Sequence, residues 1–337
     1  VLQATGDLNL ENFRSKQATA DVSTTLNLNI GSGVTSNFSL GGQLVDNSEI
    51  QQVGYSANFP GPSNPTLSSG SLQQNSQRSL RVMTGGLFAQ EVLGYRDRAF
   101  VTLGVRVDGS SAFGKSFGLQ VYPKISASYV MSDENFWRKS WGELKVRAAL
   151  GAAGRAPGAF DAVRTWNPVG WGSNPALFPQ NVGNPDLGPE RTLETEFGFD
   201  WSVLGGDVST GFTAYHGRTT SALFPVQSVP STGFQSSQLR NVGTTDNQGM
   251  EASVNWRVLN RKRVAWAVGA SLATNHSMVV SLGGAAPVNM GNGGWLIQGR
   301  PLFVIQGVKL LNPDAVADPQ VQTGYIFGPN NPTKILG

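Results

Sequence analysis

The chain has 337 residues, of which 14% are charged and 42 are glycine, and its formal net charge is +3. That excess is too small to argue for nucleic acid as a partner, and the absence of cysteine rules out a disulfide framework or a thiolate site. No apolar run approaches the roughly 18 residues of a membrane helix, and abundant Gly, Asn and Ser with short Thr and Val runs point to many strands joined by turns.

The opening residues, VLQATGDLNLENF, have neither the basic start nor the apolar core of a secretory signal. Either the protein is not exported or this chain is a processed or partial piece, and residues 1–22 read as an incomplete N-terminal loop or strand. From residue 23 the dominant signal is period two, expected of strands with one apolar and one polar face. It marks segments near 23–30, 34–45, 80–94 and 99–108. In the last of these, Val101, Leu103, Val105 and Val107 fall on one face, opposite Thr102, Gly104 and Arg106.

Residues 109–116, GSSAFGKS, match the phosphate-loop pattern G-x-x-x-x-G-K-[ST] letter for letter. A phosphate loop opens a helix whose N-terminus holds the anion. Here the chain runs on as FGLQVYPKISASYV, with a proline, β-branched residues and renewed alternation, so the segment reads as a loop between antiparallel strands and no nucleotide is expected.

Further strands follow near 119–131 and 143–153, where Lys145, Arg147 and Ala149 oppose Leu144, Val146, Ala148 and Leu150. The loop 153–191 carries Phe160, Trp166, Trp171 and Phe178 among Gly, Pro and Asn; such rings either stack on sugars or other apolar cargo or pack within the loop itself. In the strand near 191–204, Phe197, Phe199, Trp201 and Val203 face away from Glu194, Glu196 and Asp200. These carboxylates, with Arg106, Lys145 and Arg147, are candidates to line a hydrated lumen, to pair with one another, or to touch cargo. Strands near 207–218, 248–259 and 264–275 complete about ten, and residues 277–337 read as a loop with a partial, truncated C-terminal strand region.

The connections alternate between short or moderate ones (31–33, 95–98, 132–142, 205–206, 260–263) and mostly longer ones (46–79, 109–118, 153–191, 219–247). A soluble sandwich has no reason to gather its long loops at one end, whereas an outer-membrane barrel does, with short periplasmic turns and long external loops. Trp201, Trp256 and Trp266 lie near short turns, where an interfacial aromatic girdle belongs. The expected fold is thus all-β, an antiparallel transmembrane barrel in contact with membrane lipid. His216 and His276 have no metal-ligand spacing and nothing near them suggests an activated nucleophile, so neither metal, cofactor nor catalysis is expected.

Four ordered blocks carry a family resemblance. Residues 108–137 (DGSSAFGKSFGLQVYPKISASYVMSDENFW), 141–154 (WGELKVRAALGAAG), 183–223 (beginning GNPDLGPE) and 230–256 (containing NVGTTDNQGME) resemble SusC/RagA-like TonB-dependent outer-membrane transporters. A weaker block, 297–311, follows in the family's order. The first block has Ala112 where the family often has Arg. The resemblance implies a section of a roughly 22-stranded barrel in the outer membrane, lacking here the plug and the TonB-contacting segment. It also implies TonB-driven import of large glycan or peptide fragments, with a SusD-like surface lipoprotein as lid. The alternative reading is a secreted or surface β-rich adhesion module.

Overall fold

A computed structural model describes residues 6–61, 65–172, 174–228, 231, 233–234 and 236–306. Ten strands form one sheet: β1 (Asp7–Gly31), β2 (Val34–Ala57), β3 (Leu72–Tyr95), β4 (Ala99–Ser110), β5 (Gln120–Val130), β6 (Glu143–Arg155), β9 (Glu190–Val203), β10 (Val208–Val226), β11 (Gln238–Arg261) and β12 (Val264–Ser281). Every neighbouring pair is antiparallel, and the order follows the chain except that a separate hairpin, β7 (Thr165–Trp171) and β8 (Asn174–Asn181), lies between β6 and β9. Three short strands, β13 (Val288–Gly291), β14 (Gly294–Leu296) and β15 (Val304–Ile305), form a third sheet. No helix among the described residues is long and apolar enough to cross a membrane, a statement that leaves crossing by strands open.

All ten sheet strands coincide with segments of alternating sequence, but several run much further. β1 begins at Asp7, so residues 7–22 are strand, and β2, β3 and β11 are each 24 residues long. The connections expected over 46–79 and 219–247 shrink accordingly to 58–71 and 227–237. The reason is physical. Alternation is imposed only where one face meets an apolar medium; beyond that height both faces are polar, and the ladder of backbone hydrogen bonds carries the strand on without a period-two signature. The region 277–337 likewise holds the end of β12 and the sheet β13–β15, while residues 307–337 lie outside the described residues.

At one end of the sheet the strands are joined by residues 32–33, 96–98, 131–142, 204–207 and 262–263, and at the other by 58–71, 111–119, 156–189 and 227–237. Two of the tight turns use consecutive positive-φ residues, Ser32 (53°) with Gly33 (82°) and Arg96 (51°) with Asp97 (57°). That is the primed-turn geometry that matches the twist of a hairpin.

Register assigns the faces. The row Phe38–Glu91–Leu103–Ile125–Leu150–Thr195–His216–Gln248–His276 crosses nine strands through direct pairing, so these residues share one face. Val105, Phe197, Phe199, Phe212 and Val254 share it too, by the same pairings. Its large side chains are uncovered: Val22 is 77% exposed, Leu87 69% and Leu272 68%. A face of this size exposing Leu, Val and Phe is far larger than the apolar patches that water-soluble monomers tolerate. Trp201, Trp256 and Trp266 lie on it near the short turns, and Trp201 Nε1 donates to the Trp141 carbonyl at 2.7 Å.

The hydrophobic core is small and lies elsewhere. Ala222, Phe224, Val279, Leu282, Val288 and Leu296 form one buried cluster, where β13 and β14 cap the long-loop ends of β10 and β12.

Candidate functional site

The opposite face of the sheet gathers the polar residues. Direct pairing sets Lys145 beside Asp200, Arg147 beside Gly198, Glu196 beside Ala149 and Glu194 beside Gly151. Arg106 joins this face through Tyr122 and, across Lys124, the Gly151–Glu194 pair. All six polar candidates named from the sequence, Arg106, Lys145, Arg147, Glu194, Glu196 and Asp200, therefore share one surface.

Two clusters stand out there. Arg106 Nε donates to Asp108 at 2.7 and 2.9 Å, and its Nη2 to Gln43 Oε1 at 3.1 Å. Arg147 Nη2 donates to Thr213 Oγ1 at 2.6 Å, and its Nε lies 3.6 Å from Asp200 Oδ2. Each cluster depends on a glycine in the neighbouring strand. A Cβ at Gly86 would run into the Asp108 carboxylate, and one at Gly198 would lie 3.0 Å from the Arg147 guanidinium carbon. Glycine lets both side chains lie flat against the wall instead of projecting from it. Arg106, Asp108, Tyr122, Lys124 and Gln90 line a recess of about 510 Å³. Lys145, Arg147, Glu196 and Ser126 line another of about 220 Å³. The surface thus alternates in sign over short distances and is suited to hydrated, hydrogen-bonding contents. Gln43, Asp108 and Lys124 were not among the residues named from the sequence, and register places all three on this face.

The long-loop end is built by interlocking connections. The GSSAFGKS segment leads straight from β4 to β5 with no helix after it, so it lacks the anion-binding helix N-terminus of a phosphate loop. Its second glycine has a packing role instead. Gly114 N donates to the Leu187 carbonyl at 2.8 Å, and a Cβ there would strike the Pro185 carbonyl. Ser116 Oγ donates to Asp186 Oδ1 at 2.7 Å, while Ala112 and Leu187 are buried. Lys115 is exposed.

The segment 184–190 is clamped from its other side by β11. Asn241 Oδ1 accepts from Gly188 N at 2.8 Å, and its Nδ2 donates to the Gly188 and Ser221 carbonyls at 2.9 Å each. Asn184 Nδ2 donates to the Leu239 carbonyl at 3.1 Å, and Glu190 Oε1 accepts from Leu223 N at 2.7 Å. Gly243 leaves room for the Phe224 ring, which a Cβ would overlap. The sequence blocks DGSSAFG, NPDLGPE and NVG are thus one three-part joint.

Above that joint rises the β7–β8 hairpin. Phe160, Trp166 and Phe178 are each about half exposed, at 47%, 48% and 52%. Trp166 packs on Phe234 of the 227–237 connection with ring centroids 5.5 Å apart, and Arg164 lies over the same ring at 5.7 Å. Trp166 pairs with Pro179 and Phe178 with Asn167, so the two rings project from opposite sides of the hairpin. Trp166 and Phe178 are therefore not brought into one cluster. Trp171 ends β7.

A family model for the TonB-dependent receptor-like β-barrel matches residues 2–306. The chain belongs to the TonB-dependent receptor family. TonB-dependent receptor P26 of Formosa agariphila is 30% identical over 267 residues, covering 72% of this chain and 27% of that protein. The TonB-dependent receptor SusC of Bacteroides thetaiotaomicron is 26% identical over 201 residues, covering 56% of this chain and 20% of SusC. Among solved structures, the RagAB peptide transporter superposes with a TM-score of 0.78 at 18% identity, over 90% of this chain and 35% of that one. The Escherichia coli outer-membrane transporter YddB does so at 0.58 and 11% identity, over 87% and 38%. The chain therefore spans about 20–38% of the length of these relatives and solved chains, and its ten-stranded sheet is a sector of the barrel fold.

Proposed function

We propose that this chain is part of the wall of an outer-membrane importer, with the apolar face against lipid and the polar face lining the lumen. The observation that carries the reading is the combination in one sheet of an uncovered apolar face, a charged and hydrogen-bonding face, and the two longest connections, 58–71 and 156–189, at the same end. A closed barrel reconciles these, because lipid covers one face and every strand edge is paired. The exposed apolar face weighs against a water-soluble adhesion module.

In this reading Arg106, Lys145, Arg147, Glu194, Glu196 and Asp200 keep the lumen hydrated. Phe160, Trp166, Trp171 and Phe178 belong to the long connection 156–189, which receives cargo or a lid. The cargo is a large oligosaccharide or peptide fragment, the lid a SusD-like surface lipoprotein, and the energy comes from the TonB complex acting on the full-length protein. Catalysis has no part in the role.

The test is growth. A strain carrying the full-length protein should grow on the oligomeric nutrient only when TonB is present. Replacing residues 166–179 with a short glycine–serine linker should weaken cargo or lid binding and leave the barrel assembled, since Thr165 and Asn181 are already paired. TonB-independent uptake would overturn the proposal.

A further inference from the structure

Towards the long-loop ends of β1–β3, charge is unevenly divided between the faces. Register places Arg14, Lys16 and Arg81 on the apolar, outward face, just beyond the exposed band of Val22, Leu40 and Leu44. The carboxylates at this height, Glu11, Asp21 and Glu49, are on the polar face with Arg78. Two of them take glutamine donors: Gln51 Nε2 to Glu11 Oε1 at 2.5 Å and Gln43 Nε2 to Asp21 Oδ1 at 2.7 Å. The outward acid at this height is Asp46, held by Arg81 through two bonds, from Nε at 2.9 Å and Nη2 at 2.7 Å. Arg14 and Lys16 form no ion pair among the described residues.

Lys16 pairs with Ser48, which pairs with Arg81. Two cationic side chains thus flank one hydroxyl from strands two apart, about 10 Å between backbones, and both are long enough to converge above it. Arg81 Nη1 remains available. Towards the short turns the same outward face continues through Ala18, Ala20, Gly42, Gly85 and Leu87, small and apolar side chains that give an acyl chain a surface to lie along. On β10 and β11, Arg218 is held as Arg81 is, here by its directly paired partner Asp246 with bonds of 2.8 and 3.2 Å; on β1, Arg14 and Lys16 are additional to such a pair.

We propose that Arg14, Lys16, Ser48 and Arg81 form a binding site for the phosphate of a membrane lipid in the leaflet nearest the long loops. The phosphate sits over Ser48 between Lys16 and Arg81, Arg14 adds long-range attraction, and the acyl chains lie along the Ala20–Gly42–Gly85 band. A solvated rim has no reason to place three of its four cations outward and three of its four carboxylates inward; an anionic lipid surface on the outward side supplies one. The inference rests on the reading of the apolar face as lipid-facing.

The test uses the full-length protein in nanodiscs of phosphatidylcholine doped with diphosphoryl lipid A, with retained lipid counted by native mass spectrometry after release. Lipid A should be retained in preference to phosphatidylcholine. The Arg14→Gln/Lys16→Gln variant should weaken retention by roughly 25-fold, about fivefold per cation near an anionic surface. Arg78→Gln, on the polar face, should retain lipid A as the parent does, and millimolar inorganic phosphate should not displace it. Equal retention by the double variant, or displacement by inorganic phosphate, overturns the lipid site while leaving the barrel reading intact. Failure of the parent protein to enter nanodiscs of any composition would instead overturn the lipid-facing assignment itself.

Discussion

The ten-stranded sheet and the small cap formed by β13–β15 solve the same problem in opposite ways. The cap buries its apolar side chains against the long-loop ends of β10 and β12: Leu296 and Val304, with Val279 of β12 and Leu282 just after it, are almost wholly covered. The sheet buries almost none of its own, and Val22, Leu87, Phe197 and Leu272 are left largely exposed. A hydrophobic core is the answer when the surroundings are water; an uncovered apolar face is the answer when they are hydrocarbon. In the proposed reading one chain uses two solvents, and the cap sits beyond the height at which the second takes over.

If that contrast is correct, mutations should separate the two regions. The largest effect should come from Leu282→Ala in the cap, which removes buried volume and should cost about 2–5 kcal/mol locally. It would be read as faster amide exchange in β13–β15 with the sheet unaffected. In the sheet, Ile125→Arg should cost about 2–4 kcal/mol in a bilayer, while Ser126→Arg, one residue along and on the polar face, should cost far less. Urea unfolding from vesicles measures both. Equal costs at 125 and 126 would erase the distinction between faces.

At the junction of the regions, Asn241→Ala removes three hydrogen bonds to backbone groups of neighbouring segments and should cost about 1–3 kcal/mol. Its signature would be protease sensitivity of residues 184–190 with an intact barrel. Arg218→Gln, which breaks an ion pair at the border of the apolar face, should cost only about 0.2–1 kcal/mol.

The contrast also explains what the sequence disclosed. The middle strands β4–β6 and β9 were legible nearly to their ends, because their apolar and polar faces differ: Val101, Leu103 and Val105 alternate with Thr102, Gly104 and Arg106. The outer halves of β1, β2, β3 and β11 were not, since residues such as Glu11–Asn12 and Gln51–Gln52 are polar on both faces and resemble loop. The polar surface was half visible. Arg147 and Asp200 could be assigned to a face by parity, but that Arg106 reaches Gln43 across β3 depends on register and on the space left by Gly86. The aromatics at 160, 166 and 178 were visible as candidates, yet their separate placement depends on the β7–β8 hairpin, which follows from no periodic signal. The phosphate-loop pattern misleads when read as local chemistry, because Gly114 is required by the distant segment 184–190.

The most direct measurement of the central claim is face-specific labelling of the full-length protein in vesicles. Single cysteines placed at 105, 199 and 254 should be shielded from a water-soluble maleimide and quenched by lipids brominated in the acyl chain. Cysteines at 106, 194 and 255 should label readily and escape quenching. Comparable labelling and quenching at all six positions would contradict the assignment of one face to lipid and the other to water.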